Sequence, residues 1–371
     1  MSDGSQPEID MSSGVEAGVA SIGELAGRSV VLAYGSAAAE YDALRTHAVV
    51  VDRSHRARYR LAGDRAADTM TGLVTNDVSG LEPGHGCYAA ALTAKGRIVA
   101  DLRILREESG ILVDAPARAA DGWWQMLRKY VNPRVAPYED VSESVRDVGI
   151  FGPQARQVVA AITGVNASAI GVYPPYGHAS VLLGGDPARR LVVVRVPDLG
   201  LDGYEILAPA DAFDELWARA LAARAVPMGL EAWEVARIEA GRPEWGIDID
   251  DTTIPQEANF DELGAISYTK GCYVGQEVVA RVHFRGHVNR HLRGLRAAGE
   301  HPPPTGAALL DESGKVVGDV RSAATSPRLG AIALGMVRRE VDPGSDLTAR
   351  WSADGVQHEL RVNTAALPFP G

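Results

Sequence analysis

The segment Lys270-Gly271-Cys272-Tyr273-Val274-Gly275-Gln276-Glu277 carries more information about the fold than any other part of the chain. Two glycines bracket a lone cysteine, so the backbone can adopt turns that a side chain would forbid. Lys270 and a helix beginning near Gln276 would both favour the thiolate of Cys272. From the residues alone, Cys272 is a candidate nucleophile, redox thiol or soft-metal ligand. The alternative, which is more common, is a small buried residue in a tight loop.

The segment runs on to Arg281 and Phe284-Arg285-Gly286, and it is preceded by Ile254-Pro255-Gln256-Glu257-Ala258-Asn259. Together these residues resemble the signature of the YgfZ group of folate-binding proteins, which are related to the glycine-cleavage aminomethyltransferase (T-protein, GcvT-like) family. The resemblance extends over roughly residues 30–371. It implies two entangled α+β lobes around a central folate channel, followed by a small C-terminal β-barrel. It also implies tetrahydrofolate or a one-carbon derivative as the cofactor.

The hydrophobic pattern independently favours an α+β fold, because strands and helices mix without a βαβ rhythm and no Gly-rich loop follows a strand. Predicted strands are Arg58–Leu61, Cys87–Leu92, Arg97–Leu105, Ile111–Val113 and Arg190–Val196. Predicted amphipathic helices are Pro116–Tyr130, Gly152–Ile162, Asp211–Ala225, with Asp211 as its cap, and Glu231–Ala240.

The pattern changes after about Asn289. Short apolar runs then recur at about ten-residue spacing between Pro/Gly turns, which is typical of a small β-barrel or sandwich. The predicted organisation is a disordered tail over 1–28, a folate-binding region of two interleaved lobes over 29–289, and a β-barrel over 290–371.

The resemblance assigns three cofactor-binding candidates in the second half of the folate-binding region. Gly203-Tyr204-Glu205-Ile206 resembles the family strand whose glutamate faces the pterin, and a carboxylate can accept two hydrogen bonds from the pterin edge. Trp233 and Arg237 share a helix face, so Trp233 can stack on the pterin or aminobenzoyl ring while Arg237 lies near the anionic tail. The alternatives are an exposed strand glutamate, core packing for Trp233, and a structural ion pair of Arg237 with Glu234 or Glu239.

Asp101 and Asp114 are further candidates. Gly96–Leu102 resembles an aminomethyltransferase segment with two adjacent aspartates, one of which lies near the folate nitrogens and is needed for transfer. Here Ala100 occupies the first position, so Asp101, with Cys272 and Lys270, is a catalytic candidate in a site that departs from the transferases. Asp114 occupies a position where relatives often carry asparagine at the pterin site. The alternative for Asp101 is a solvent-facing carboxylate.

Composition excludes several classes of function. The chain has 371 residues, with 37 Lys and Arg against 48 Asp and Glu, so its net charge is −11. An acidic chain is a poor candidate for direct nucleic-acid binding. With two cysteines and no apolar run near 18 residues, we expect a cytoplasmic protein without a disulfide framework or membrane contact. The spacing of His283, His287 and His291 suggests a metal site only if they share one helix, so none is predicted.

Two functions follow from the resemblance. The first is a tetrahydrofolate-binding protein of the YgfZ type that supports iron–sulfur cluster assembly or maintenance in client proteins, including tRNA-modifying enzymes. The second is a folate-dependent aminomethyltransferase of the glycine cleavage type. Whether the protein is itself an enzyme is therefore left open by the sequence, and so is the chemical role of Cys272.

Overall fold

The computed structural model of the protein describes residues 21–370. Its first half consists of β1 (Ser21–Leu25), β2 (Arg28–Ala33), α1 (Ala37–Thr46), β3 (Val49–Asp52), β4 (Ala57–Ala62), α2 (Ala66–Thr71), β5 (Gly86–Leu92), β6 (Ile98–Glu107), β7 (Gly110–Ala115), α3 (Ala120–Tyr130) and β8 (Tyr138–Asp140). Then follow β9 (Val145–Phe151), α4 (Ala155–Thr163), α5 (Ala167–Ile170), β10 (His178–Leu182), β11 (Arg190–Arg195), β12 (Gly203–Pro209), α6 (Phe213–Ala222), β13 (Val226–Pro227), α7 (Leu230–Glu239) and α8 (Gln276–Arg285).

Two sheets form the two lobes, and the chain crosses between them. The first lobe is an antiparallel sheet of order β5-β6-β7-β4-β8, and the second is a sheet of order β10-β11-β12-β9-β3-β13. Strand β3 precedes the first lobe in sequence, yet it pairs with β9 in the second. The lobes are therefore entangled, as the resemblance implies, because the continuous first lobe, β4 to β8, interrupts the second between β3 and β9.

The C-terminal part is a closed barrel. It is built from β14 (Arg290–Ala297), β15 (Ala308–Leu310), β16 (Val316–Ser326), β17 (Gly330–Arg338), β18 (Asp346–Ala353) and β19 (Val356–Ala365). Strand β19 pairs with β14, which closes the sheet and leaves no free edge. Apolar side chains that point inward, such as Leu295, Leu309 and Val337, fill its core. The predicted α+β architecture with a C-terminal barrel is confirmed.

Several local predictions differ from the structure. Residues 1–20 of the predicted tail lie outside the described residues, but β1 and β2 form an antiparallel hairpin from Ser21 onward, within and beyond the end of that tail. The predicted cap Asp211 is wrong, because α6 begins after a short turn and its N-cap is Ala212. Strand β19 was not predicted, because its long polar stretch does not resemble an apolar run.

Candidate functional site

The predicted cofactor-binding residues converge between the two sheets. Asp101 lies on β6, Asp114 on β7, Glu205 on β12 and Trp233 on α7. All four side chains are buried, so the solvent-exposed alternatives for Asp101 and Glu205 are wrong. We call the small space that Asp101 and Trp233 line the central cavity; Asp114 and Glu205 do not line it but contact Arg103, which does. Because alternate residues of a strand share a face, Asp101 and Arg103 of β6 both point into it.

Asp101 is bound by a single side chain. The Tyr88 hydroxyl donates a 2.9 Å hydrogen bond to Oδ2 of Asp101, while Oδ1 has no partner among the described residues. Burial raises the pKa of Asp101, and the nearby Arg56 and the Tyr88 hydrogen bond offset only part of that rise. The carboxyl group is therefore disposed to hold a proton, with one oxygen free to exchange it with a ligand.

Glu205 is held by arginine on the opposite sheet. Arg103 donates to Oε2 of Glu205 at 2.6 Å and also binds Asp198. The second oxygen of Glu205, Oε1, has no hydrogen-bond partner within residues 21–370 and lies 3.7 Å from Nε of Arg53. Burial opposes ionisation of Asp198, but the attraction of Arg103 and Arg242 is stronger, and its pKa falls well below the usual value. This network fixes Glu205 while leaving one acceptor available.

Asp114 is engaged by three arginines. Arg56 donates to its Oδ1 at 2.5 Å, Arg58 lies 3.2 Å from Oδ2, and Arg103 lies 3.7 Å from Oδ1. Burial raises its pKa, but these three charges together lower it. Asp114 therefore neutralises the arginines that surround the cavity, and contact with a pterin stays a prediction.

Gly203, in the same motif as Glu205, positions Trp233 through the ring of Phe151. A Cβ on Gly203 would lie 2.3 Å from the ring of Phe151, so only glycine allows that ring to pack there. Phe151 in turn contacts Trp233 edge to face, with ring centroids 5.0 Å apart. The guanidinium of Arg53 lies over Trp233, 3.8 Å from the ring centroid. A pterin that stacks on this face must therefore displace Arg53.

A second arginine covers a second aromatic ring. Arg242 lies 4.0 Å from the ring centroid of Tyr88, donates to the Tyr176 hydroxyl and pairs with Asp198 at 3.0 Å. Between the side chains the central cavity retains only about 20 Å³, which is the space of one water molecule. Binding of a folate thus requires the covering arginines to move.

Arg237 lines the cavity, but its guanidinium is fully engaged. It donates to Glu234, to Asp248 at 2.7 Å, and to the Ser322 hydroxyl of the barrel. The structural ion pair with Glu234, which the sequence offered as the alternative, is therefore present. The role of Arg237 at the anionic tail of folate stays a prediction.

The cysteine loop precedes α8 and lies on the surface. Cys272 is exposed, whereas Cys87 is buried in β5, and burial raises the pKa of the Cys87 thiol to about 12. Gly275 is the N-cap of α8 with φ of +83°, and a Cβ there would lie 2.6 Å from the Thr93 carbonyl. This explains the second glycine of the motif, and the buried alternative for Cys272 is wrong.

Lys270 is anchored below this loop. Its ammonium group donates to the Thr71 carbonyl and lies 4.5 Å from the ring centroid of Tyr273. Burial lowers the pKa of Lys270 to about 8. Lys270 therefore loses its charge at a lower pH than an ordinary lysine.

The histidines near α8 do not form a metal site. His283 belongs to α8, but the helix ends at Arg285 before His287 and His291, so the three histidines do not share one helix. Within residues 21–370 no group of three or more His, Cys, Asp or Glu side chains is arranged to hold a metal ion. Likewise, no helix in that range is both long and apolar enough to cross a membrane.

A larger groove of about 510 Å³ lies beside the β1–β2 hairpin. Arg28, Tyr34, Asp52, His55 and Arg146 line it, and none of the predicted site residues does. Its lining contains two arginines, Arg28 and Arg146, and two carboxylates, Asp52 and Glu143, so its charge favours neither anions nor cations. The central cavity therefore remains the candidate site.

Sequence reasoning missed the basic half of the central cavity. Arg53, Arg56, Arg103 and Arg242, with Tyr88 and Asp198, surround the predicted residues. No periodic pattern distinguishes a buried arginine from a surface one, because its burial depends on tertiary pairing with distant carboxylates. The close spacing of Arg53, Arg56 and Arg58 is the sequence feature that could have indicated a basic site here.

The donor and acceptor set of the central cavity fits a reduced folate. Asp101 and Glu205 each offer a buried carboxylate oxygen without a hydrogen-bond partner among the described residues, and Arg53 offers an unpartnered Nε. These groups match the amino, ring N–H and carbonyl groups of a pterin. Trp233 and Tyr88 supply flat apolar faces that guanidinium planes currently cover.

Comparison with known proteins assigns the family. Residues 13–266 match the GCVT N-terminal domain, and residues 290–369 match the glycine cleavage T-protein C-terminal barrel domain. An aminomethyltransferase from Thermosynechococcus vestitus is 32% identical over 82% of this chain and 81% of its own length. One from Saccharopolyspora erythraea is 31% identical over 93% of both chains.

The fold comparison agrees. A crystal structure of glycine cleavage system aminomethyltransferase T from Bartonella henselae superimposes with a TM-score of 0.84, covering 96% of this chain and 95% of that one at 24% identity. Members of the family use tetrahydrofolate. The two matched domains, the entangled lobes and the closed barrel together place this chain in the glycine cleavage T-protein (GCVT) family.

Proposed function

We propose that this protein binds tetrahydrofolate in its central cavity, with the pterin on the face of Trp233 and its amino edge at Glu205. The observation that supports this most strongly is the set of buried atoms without partners on Asp101, Glu205 and Arg53. A buried polar group left unsatisfied costs about 1–3 kcal/mol, so a ligand that pairs with these atoms gains binding energy there.

In this proposal Asp101 is the acid–base group. Bound tetrahydrofolate supplies amine nitrogens that can carry a one-carbon unit. The raised pKa of Asp101 lets its carboxyl group hold a proton, and Tyr88 fixes its orientation from the side away from the free oxygen. Arg103 and Arg53 keep Glu205 oriented toward the pterin edge.

One use of the bound folate is aminomethyl transfer of the glycine cleavage type. The relatives described above are named aminomethyltransferases, and this favours transfer over the alternative. Retention of a buried carboxylate at Asp101 also supports transfer, whereas Ala100, fully buried on the same strand, replaces the adjacent aspartate that the resemblance attributes to the transferases.

A second use is a YgfZ-type role, in which the folate-bound protein supports assembly or maintenance of iron–sulfur clusters in client enzymes, including tRNA-modifying ones. The observation that favours it is the exposed Cys272 in the Lys270–Glu277 loop. An exposed thiol is accessible to a partner protein, as cluster or sulfur handling requires. We place this protein in the cytoplasm, where thiols stay reduced.

Two assays test the proposal. Calorimetric titration with tetrahydrofolate should show binding near one to one, and absence of binding would refute both uses. A glycine cleavage assay with a purified lipoyl carrier protein then separates them. Turnover that depends on Asp101 supports transfer. No turnover, together with loss of iron–sulfur enzyme activities in a knockout that wild type rescues and Cys272→Ser does not, supports the YgfZ-type role.

A further inference from the structure

Helix α8 presents an unusual face to solvent. Of its ten residues only Val279 is buried, while Arg281, Phe284 and Arg285 are exposed. Phe284 is 67% exposed, which is high for a large apolar side chain. We call Arg281, Phe284 and Arg285 the basic helix face.

This face differs in charge from the rest of the protein. Residues 261–291 contain four Lys or Arg against three acidic residues, Asp261, Glu262 and Glu277, whereas the whole chain has a net charge of −11. Neither Arg281 nor Arg285 forms an ion pair with any residue between 21 and 370. At the edge of the face, Asp261 accepts a hydrogen bond from Tyr268. Uncompensated basic groups on an acidic protein select negatively charged partners.

The aromatic residue is held in place. The ring of His283 stacks on Tyr268 with centroids 3.6 Å apart, and Phe284 contacts both rings edge to face. An exposed phenylalanine that is already ordered loses little side-chain entropy on binding. It can therefore act as an anchor that inserts into an apolar pocket of a partner.

The basic helix face belongs to the helix that follows the exposed Cys272. Cys272 lies four residues before α8, and the Thr93–Arg97 turn packs on the start of the helix, where Gly96 approaches Val278. Lys95 at that turn is exposed and adds a further positive charge. A partner that extends from this face along the ten residues of α8 to its start would reach the cysteine loop.

We propose that the basic helix face docks an acidic partner protein, with Phe284 as the apolar anchor and Arg281 and Arg285 as the charged contacts, and that docking brings the partner to Cys272. The face has few unpaired cations and a single exposed aromatic side chain, and these features fit a protein partner better than RNA. The negative net charge of the chain also repels RNA. The proposal does not depend on folate, so it stands or falls separately from the central cavity.

Thiol–disulfide exchange with charged peptides tests it. The probes are a Glu-rich and a Lys-rich peptide, each containing one leucine and one cysteine in a mixed disulfide with thionitrobenzoate. The Cys272 thiolate attacks the peptide cysteine sulfur, the old S–S bond breaks, and thionitrobenzoate leaves as a coloured thiolate. At low ionic strength the Glu-rich peptide should react about 10-fold faster than the Lys-rich one.

Matched variants identify the cause. The preference should disappear in the Arg281→Glu, Arg285→Glu double variant and in high salt, while Phe284→Ser should slow the Glu-rich peptide. The Arg128→Glu, Lys129→Glu variant, altered on exposed positions of α3, has the same net charge and should retain the preference. Cys272→Ser should abolish the signal, since Cys87 is buried. A neutral disulfide should react equally with all variants that retain Cys272.

Three outcomes would overturn the proposal. The first is equal rates for the two peptides, or a preference that the control variant loses as well. The second is binding of a fluorescent oligoribonucleotide that depends on Arg281 and Arg285 while the peptide rates stay equal. The third is self-association in sedimentation that the double variant abolishes, because the face would then bind a second copy of this chain.

Discussion

The guanidinium of Arg53 covers the ring of Trp233 at 3.8 Å, on the face where a pterin would stack. Arg242 covers Tyr88 in the same way at 4.0 Å. Both are planar cations on aromatic faces, so they occupy the place of a flat heterocycle and leave about 20 Å³ of free space. In the proposed complex, stacking of a pterin replaces these cation–π contacts, so the covering guanidinium groups have to move.

Glu205→Gln should weaken tetrahydrofolate binding, because the variant loses the charged acceptor at the pterin edge. We expect a loss of about 1.5–3 kcal/mol in calorimetry. Glu239→Gln is the matched control, since Glu239 is equally buried but binds Tyr41, Ser326 and Arg328 at the barrel interface. Equal affinities for the two variants would mean that the wrong glutamate has been assigned.

Trp233→Leu should weaken tetrahydrofolate binding by about 1–3 kcal/mol, the value for loss of stacking on an aromatic ring. Trp233→Phe should lose less, because a flat apolar face remains. The leucine variant keeps most of the volume that packs on Phe151, which limits destabilisation. Trp123→Phe, in the core of the first lobe, controls for general effects on calorimetry. Unchanged affinity in the leucine variant would remove Trp233 from the site.

Asp101→Asn should stabilise the ligand-free protein at neutral and higher pH while abolishing folate-dependent turnover. The pKa of Asp101 is higher in the folded than in the unfolded protein, where it is about 3.9. Asp101 therefore contributes to stability below about pH 3.9, and this contribution is lost as the pH rises through the pKa of the folded protein. The gain in thermal midpoint should thus be larger at pH 8 than at pH 4. Asp64→Asn, on an exposed loop, is the control. A gain independent of pH would contradict the assigned cause.

Asp198→Asn should destabilise the protein at pH 7 by about 3–5 kcal/mol, because Arg103 and Arg242 lose a buried partner. The pKa of Asp198 is lowered, so its stabilisation is present above the unfolded value of about 3.9 and is lost as pH falls. The difference between variant and wild type should therefore shrink below pH 4 in denaturant unfolding. Asp202→Asn, which breaks a partly exposed pair with Arg156, should cost at most about 1 kcal/mol.

How far the sequence predicts this protein depends on the kind of information involved. The barrel follows from short apolar runs, and Asp101, Glu205 and Trp233 were assigned one by one from motifs that resemble those of the family. The helix expected near Gln276 is present as α8, and it extends to Arg285. The glycine at 286 ends that helix rather than interrupting it.

The arginines of the central cavity were not predictable for a different reason. Arg53 and Arg103 are buried only because carboxylates from distant strands neutralise them, as Asp198 and Glu205 neutralise Arg103. Such pairs join residues about a hundred positions apart, and no local pattern reports them. The sequence therefore predicted the acceptors of the site and one donor, Arg237, and omitted the other arginines.

The most direct test of the account is a crystal structure of the protein with tetrahydrofolate. The account predicts a pterin between the two lobes, stacked on Trp233, with its amino edge on Glu205 and the Arg53 guanidinium moved off the ring. Asp101 should lie within hydrogen-bond distance of a folate nitrogen. A pterin bound in the groove beside the β1–β2 hairpin, with Arg53 still covering Trp233, would contradict it.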